Sequence, residues 1–198
     1  MTLSATEAVA RLREGNQRFI VGEVPARLSD SPRDLTQANP FAIVLGCADS
    51  RVPVETIFSQ GIGDLFVVRV AGHVAAKSQI GSVEFALRQW SSPIVVVLGH
   101  SLCGAMMATI EAVENGAEGL SPHLLKVVDL LRPSVEVTAD AEDRLDAAIR
   151  ENVRGTMRLL VKRSKIISGL VREDRLKIVG AHYSLETGAV EFFEKLEI

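Results

Sequence analysis

Cysteine is scarce in this chain: among 198 residues there are two, Cys47 and Cys103. Two thiols do not make a disulfide framework, so a small stapled scaffold is excluded. In a reducing compartment both are expected as free thiols able to ligate a metal, and a single Cys47–Cys103 bridge is the one disulfide left open. Long apolar runs are missing as well. None approaches the roughly 20 residues of a membrane helix, and residues 1–20 carry Glu7, Arg11, Arg13, Glu14 and Arg18 where a signal peptide would be apolar. A large charge excess is also lacking, since the net charge is −3. The expectation is therefore a cytoplasmic protein with no nucleic-acid or membrane partner. No internal repeat, low-complexity tract or second domain is visible.

What is present is ordinary globular usage, 47% hydrophobic and 24% charged. The length suits one domain with a real core, spanning 1–198. Residues 3–20 read as an amphipathic helix with Leu3, Val9, Leu12 and Phe19 near one face. Residues 21–40, with Pro25, Pro32 and Pro40, read as an irregular connection. The helix and extended arm over residues 1–34 are expected to pack on a partner subunit. Four nearly unbroken apolar runs follow: Phe41–Leu45, Leu65–Val70, Ile94–Leu98 and Leu176–Ala181. Runs of this length without polar alternation suit strands buried on both faces. Helical stretches are expected at Ser78–Trp90, Met106–Val113, Pro122–Leu131 (stopped by Pro133) and Asp140–Val161. Tyr183–Gly188 reads as a turn and Val190–Phe193 as an edge strand. The fold class is α/β, a mostly parallel central sheet of four to five strands flanked by helices.

The chemistry-bearing residues sit at the ends of two of those runs. Cys47 follows Phe41–Leu45 and Gly46, while His100 and Cys103 follow Ile94–Leu98 and Gly99. In an open α/β sheet, ligands bind outside the carboxyl ends of the strands. If the two strands are parallel, all three side chains meet on one rim despite their distance along the chain. Thiolates and imidazole form a soft donor set that favours zinc (Zn2+) over magnesium or calcium. Three protein ligands leave a catalytic zinc one open position.

Cys47-Ala48-Asp49-Ser50-Arg51 together with His100-x-x-Cys103-Gly104 resembles the β-class carbonic anhydrases. Gly63–Arg69, Gly81–Ala86 and Asn152-Val153 are also similar to stretches of that family, so the likeness runs over roughly residues 35–195. The resemblance implies zinc on Cys47, His100 and Cys103, and a homodimer or homotetramer of α/β subunits. It implies carbonate dehydratase activity, a zinc lyase reaction in which zinc-bound hydroxide attacks CO2 to give bicarbonate and a proton. Asp49 and Arg51 are the implied catalytic pair. Asp49 accepts the hydroxide's hydrogen bond, and Arg51 holds Asp49 with paired donors and keeps it ionised. Without Arg51, Asp49 could swing onto the metal as a fourth ligand, giving a closed state. The Gly104 N–H, Phe66 and Phe85 are the implied substrate contacts. Two thiolates soften the acidifying effect of zinc, so activity is expected to rise above neutral pH.

This chain departs from the family pattern at several places. Phe85 stands where plant-like members often carry Tyr, and Ala38, beside Gln37, where they tend to have Gln. Ala71-Gly72-His73 replaces Ala-Gly-Asn. Val44 stands where the bicarbonate-inhibited subgroup has Trp, so allosteric inhibition by bicarbonate is not expected. His73, His123 and His182 are read chiefly as structural, with His73 the leading proton-relay candidate. Two other readings remain. The same zinc could hydrolyse carbon disulfide or carbonyl sulfide, or the chain could be a non-catalytic zinc-binding regulatory module, which an intact Asp49–Arg51 pair disfavours. A zinc deaminase would need a His-x-Glu and a Cys-x-x-Cys, and both are missing.

Overall fold

A computed structural model of the chain describes residues 3–23 and 38–195. The expected connection over 21–40, with Pro25, Pro32 and Gln37, falls largely outside those residues. Strands β1 (Ala42–Gly46), β2 (Leu65–Arg69), β3 (Ile94–His100) and β4 (Lys177–Tyr183) are parallel in the order β2-β1-β3-β4. β5 (Val190–Lys195) returns antiparallel along the β4 edge. The result is the expected mostly parallel sheet.

β1 and β3 are buried along their whole length because helices cover both faces, which is why they read as unbroken apolar runs. The period of two in a strand assigns the sides. Ala42, Val44, Ile94, Val96 and Leu98 face a layer containing Leu12 and Phe58. Ile43, Leu45, Val95 and Val97 face Val83, Val153, Met157 and Leu160 on the other side. The first layer is built by α1 (Ala5–Ile20) and the short α2 (Val54–Ile57). The second is built by α3 (Lys77–Trp90), α6 (Arg144–Arg163) and α7 (Lys165–Arg172). Helices α4 (Gly104–Asn115) and α5 (Pro122–Glu136) join α6 in closing the carboxyl end, around Met106, Leu131, Ala148 and Ile149.

α1 begins where Ser4 and Glu7 cap each other's backbone N–H groups. It packs on its own chain: Ala8 and Leu12 are fully buried, and Asn16 bonds Ile57 O, Gly188 O and Val190 N. Two expected boundaries differ. Pro133 does not stop α5, because it sits in the last turns and the carbonyl its missing N–H would have met belongs to exposed Asp129, open to water. α6 starts at Arg144, after Asp143 accepts the Asp146 N–H as an N-cap.

From β1 the chain steps outward to β2, then crosses back past β1 to β3. The reversal of strand order opens a crevice between the carboxyl ends of β1 and β3. Gly46 lies opposite Leu98 in the register, so Cys47 and His100 emerge side by side at that crevice.

Candidate metal centre

Gly99 is where helix and strand come closest. A Cβ there would lie 2.9 Å from Val153 Cγ2 and 3.0 Å from Ile149 Cγ2, so only glycine lets α6 seat against the end of β3. His100 and Cys103 beyond it are fully buried, and Cys47 is nearly so. The His100 nitrogen and the two sulfurs lie within 4.8 Å of one another.

The donors fit a metal. His100 Nδ1 donates to Ser101 O at 2.9 Å, which leaves Nε2 with its lone pair. That Nε2 is buried and has no hydrogen-bond partner, a costly state for a polar atom unless something else binds it. The thiols are in contact, so one proton serves both sulfurs. Cys47 is held down at about 3 by the hydrogen bond from Cys103, helped by the N–H groups of Asp49 and Gly72. Cys103 is pushed up by the same bond and by burial. A soft divalent cation, if bound, would take the place of that proton.

Asp49 stands beside this set with both oxygens engaged. Oδ1 accepts from Arg51 N at 2.9 Å and Arg51 Nε at 3.0 Å, and Oδ2 accepts from Arg51 Nη2 at 2.8 Å. These bonds hold the carboxyl well below the usual carboxylate range. Both carboxylate oxygens are thus turned to Arg51, and among the described residues the candidate metal group is made by Cys47, His100 and Cys103 alone. Arg51 Nη2 also donates to Leu102 O at 3.1 Å, tying the Cys47 loop to the His100–Cys103 loop. Gly104 opens α4 directly after Cys103, with open space at its Cα, so its N–H lies at the positive end of the helix.

Phe66 and Phe85 are not brought to the cluster by this chain. They form an aromatic trio with Trp90 at the β2 edge, with ring centroids 5.5–6.3 Å apart. Phe66 pairs with Ile43, four residues before Cys47, roughly 13 Å along the strand. His73 is fully buried, and burial pushes it down to about 4. His123 is exposed on α5, and His182 is buried 3.3 Å from Asp146.

The structure adds groups to which no role falls from the sequence. Asn152 Nδ2 donates to Gly72 O and reaches His73 Nε2, both at 2.8 Å, securing the turn Ala71–His73 whose Gly72 N–H meets Cys47. Arg69 Nε donates to Cys47 O at 3.0 Å, and Arg69 Nη2 donates to Asp49 O. The available signal for Arg69 is a cation closing an otherwise apolar strand.

Residues 42–190 match the profile of the family described as carbonic anhydrase. Carbonic anhydrase 2 of Mycobacterium tuberculosis is 40% identical over 181 residues, covering 89% of this chain and 87% of that protein. The carbonic anhydrase of Mycolicibacterium smegmatis is 40% identical over 184 residues, covering 91% and 89%. Among solved structures, the Coccomyxa β-carbonic anhydrase in complex with acetazolamide matches with a TM-score of 0.71 at 19% identity, covering 96% of this chain and 84% of that one. One of the tetrameric β-carbonic anhydrases of Sordaria macrospora matches with a TM-score of 0.70 at 18% identity, covering 97% of each. At those identities the structures speak for the fold alone.

Proposed function

Because the chain belongs to the carbonic anhydrase family, in its β class, we propose that it hydrates CO2 reversibly to bicarbonate and a proton on a zinc held by Cys47, His100 and Cys103. The observation that carries this reading is the meeting of two thiols and an unpartnered imidazole nitrogen at the switch point of the sheet. Zinc there supplies a Lewis acid that makes solvent water nucleophilic near neutral pH.

The side chains around it do the rest. Asp49, kept ionised by Arg51, accepts a hydrogen bond from the attacking water and aims its lone pair at the carbon. Holding both Asp49 oxygens also keeps the carboxylate from closing the site. The Gly104 N–H, at the start of α4, steadies the oxygen on which negative charge develops. His73 is fully buried, with Asn152 at its Nε2 and Thr156 at its carbonyl, which supports a role in holding the Ala71–His73 turn.

Self-association as a homodimer or homotetramer is part of the proposal. It is also the way Phe66 and Phe85 could meet a substrate, in the site of a neighbouring copy. No helix among the described residues is long and apolar enough to cross a membrane, and a cytoplasmic location is proposed on the two free thiols. Zinc analysis with stopped-flow CO2 hydration tests the reading. About one zinc per chain is expected, with hydration well above buffer and a sharp loss in Asp49→Ala. A zinc-supplemented wild type with neither metal nor activity would refute it.

A further inference from the structure

We propose that Arg69 is a positioning residue of the metal centre: its guanidinium grips the carbonyls of Cys47 and Asp49 and so sets where the Cys47 sulfur and the Asp49 carboxylate point. This inference rests on the functional reading above. Arg69 ends β2 and lies opposite Gly46, so the parallel ladder delivers its side chain beside the loop that leaves β1. Nε takes the Cys47 carbonyl at 3.0 Å and Nη2 takes the Asp49 carbonyl. Between them, Ala48 N–H bonds Val70 O at 3.1 Å. Asp49 N–H meets the Cys47 sulfur. Every peptide from Cys47 to Asp49 is thus pinned, and Arg69 supplies two of the pins.

The residue type matters. Two carbonyls on alternate residues need a rigid fork of N–H donors, which a guanidinium has and an ammonium lacks. Among the described residues no carboxylate pairs with Arg69, so its donors serve the loop rather than an ion pair. Arg51 holds the Asp49 side chain from the front while Arg69 holds its backbone from behind. Loss of the rear grip lets the sulfur and the carboxylate drift together. That weakens metal retention and lowers turnover, with little effect on substrate affinity.

The test uses full-length, zinc-loaded enzyme and measures zinc release to a chromogenic chelator alongside kcat and KM for CO2 hydration. Arg69→Ala is expected to release zinc faster and turn over more slowly, each by about 10- to 100-fold, the range usual for groups behind metal ligands. KM should stay within about twofold. Arg69→Lys should not restore either property. Added guanidinium ion, far below concentrations that unfold the wild type, should restore part of both in Arg69→Ala. Release and kcat within twofold of wild type in Arg69→Ala overturn the proposal, as does full recovery in Arg69→Lys or a defect that guanidinium leaves untouched. If Arg69→Ala does not fold, wild-type release and turnover in Arg69→Lys overturn it instead. A wild type without zinc or hydration activity sinks the functional reading and this inference together. A competent wild type matched by Arg69→Ala sinks this inference alone.

Discussion

The two loops that meet at the metal centre are built on opposite principles. The His100–Cys103 loop is locked into the core. Its ligands are fully buried, Ser101 N–H bonds Tyr183 O, and Ser101 Oγ accepts from Leu185 N. The Cys103 carbonyl accepts from Met106 and Met107 at the start of α4. The Cys47–Arg51 loop is partly exposed and is held by side chains, the guanidinium groups of Arg51 and Arg69. One loop gives the site a wall fixed by burial and backbone bonds, and the other gives it a charged wall fixed largely by guanidinium groups. Chemistry that must aim a hydrogen bond belongs on the second.

The most severe break in that contrast is on the fixed side. His100→Ala is expected to abolish zinc binding and CO2 hydration and also to destabilise the fold by about 2 to 4 kcal/mol, because it empties a fully buried position. Metal analysis and denaturant unfolding read both effects. Asp49→Ala should separate them, lowering kcat about 100-fold while the thermal midpoint moves by less than about 2 °C. An equal loss of stability in the two variants would erase the distinction between the loops.

Acid sharpens it next. His73 and His182 are held below their ordinary value by burial, so the native state takes up fewer protons than the unfolded chain below about pH 6.5. The contribution of these two histidines should be level above that pH, fall as the pH drops towards 4, and flatten once His73 itself is protonated. Asp49, which Arg51 depresses, adds a loss of its own only as the pH nears 4 and below, where the unfolded chain begins to protonate that carboxylate. Urea unfolding between pH 4 and 8 measures the slope, and His73→Asn should reduce it. The smallest effect is expected at Leu102, which is half-exposed and holds φ +54 between the two buried ligands. Leu102→Gly relieves about 1 kcal/mol of backbone strain but adds a similar unfolded-state entropy. The midpoint should therefore move by no more than about 3 °C with kcat unchanged. A tenfold fall in kcat would mean that the loop is less fixed than its burial indicates.

Much of the frame is legible in the chain. Phe41–Leu45 and Ile94–Leu98 announce buried parallel strands because both their faces are covered, and β1 and β3 lie there, while Leu65–Val70 gives β2, a half-buried edge strand. Pro133 misleads, since a proline near a helix end loses a single bond to an exposed carbonyl and the helix runs through it. The expected substrate contact of Phe66 and Phe85 does not arise within one chain, because strand register places them at the β2 edge with Trp90. Asn152 and Arg69 stand in family-like stretches, yet those stretches do not reveal what either holds, because their partners are backbone carbonyls about eighty and about twenty residues away.

Residue chemistry and hydrophobic period determined the donor set, the strand-end placement of Cys47 and His100, and the α/β class, because these depend on local properties of short segments. Tertiary structure decided which strands are neighbours, which histidine nitrogen is left for a metal, and which arginine holds which carbonyl. Those depend on register and on backbone groups, and backbone N–H and C=O groups are alike at almost every position until folding gives each one a partner.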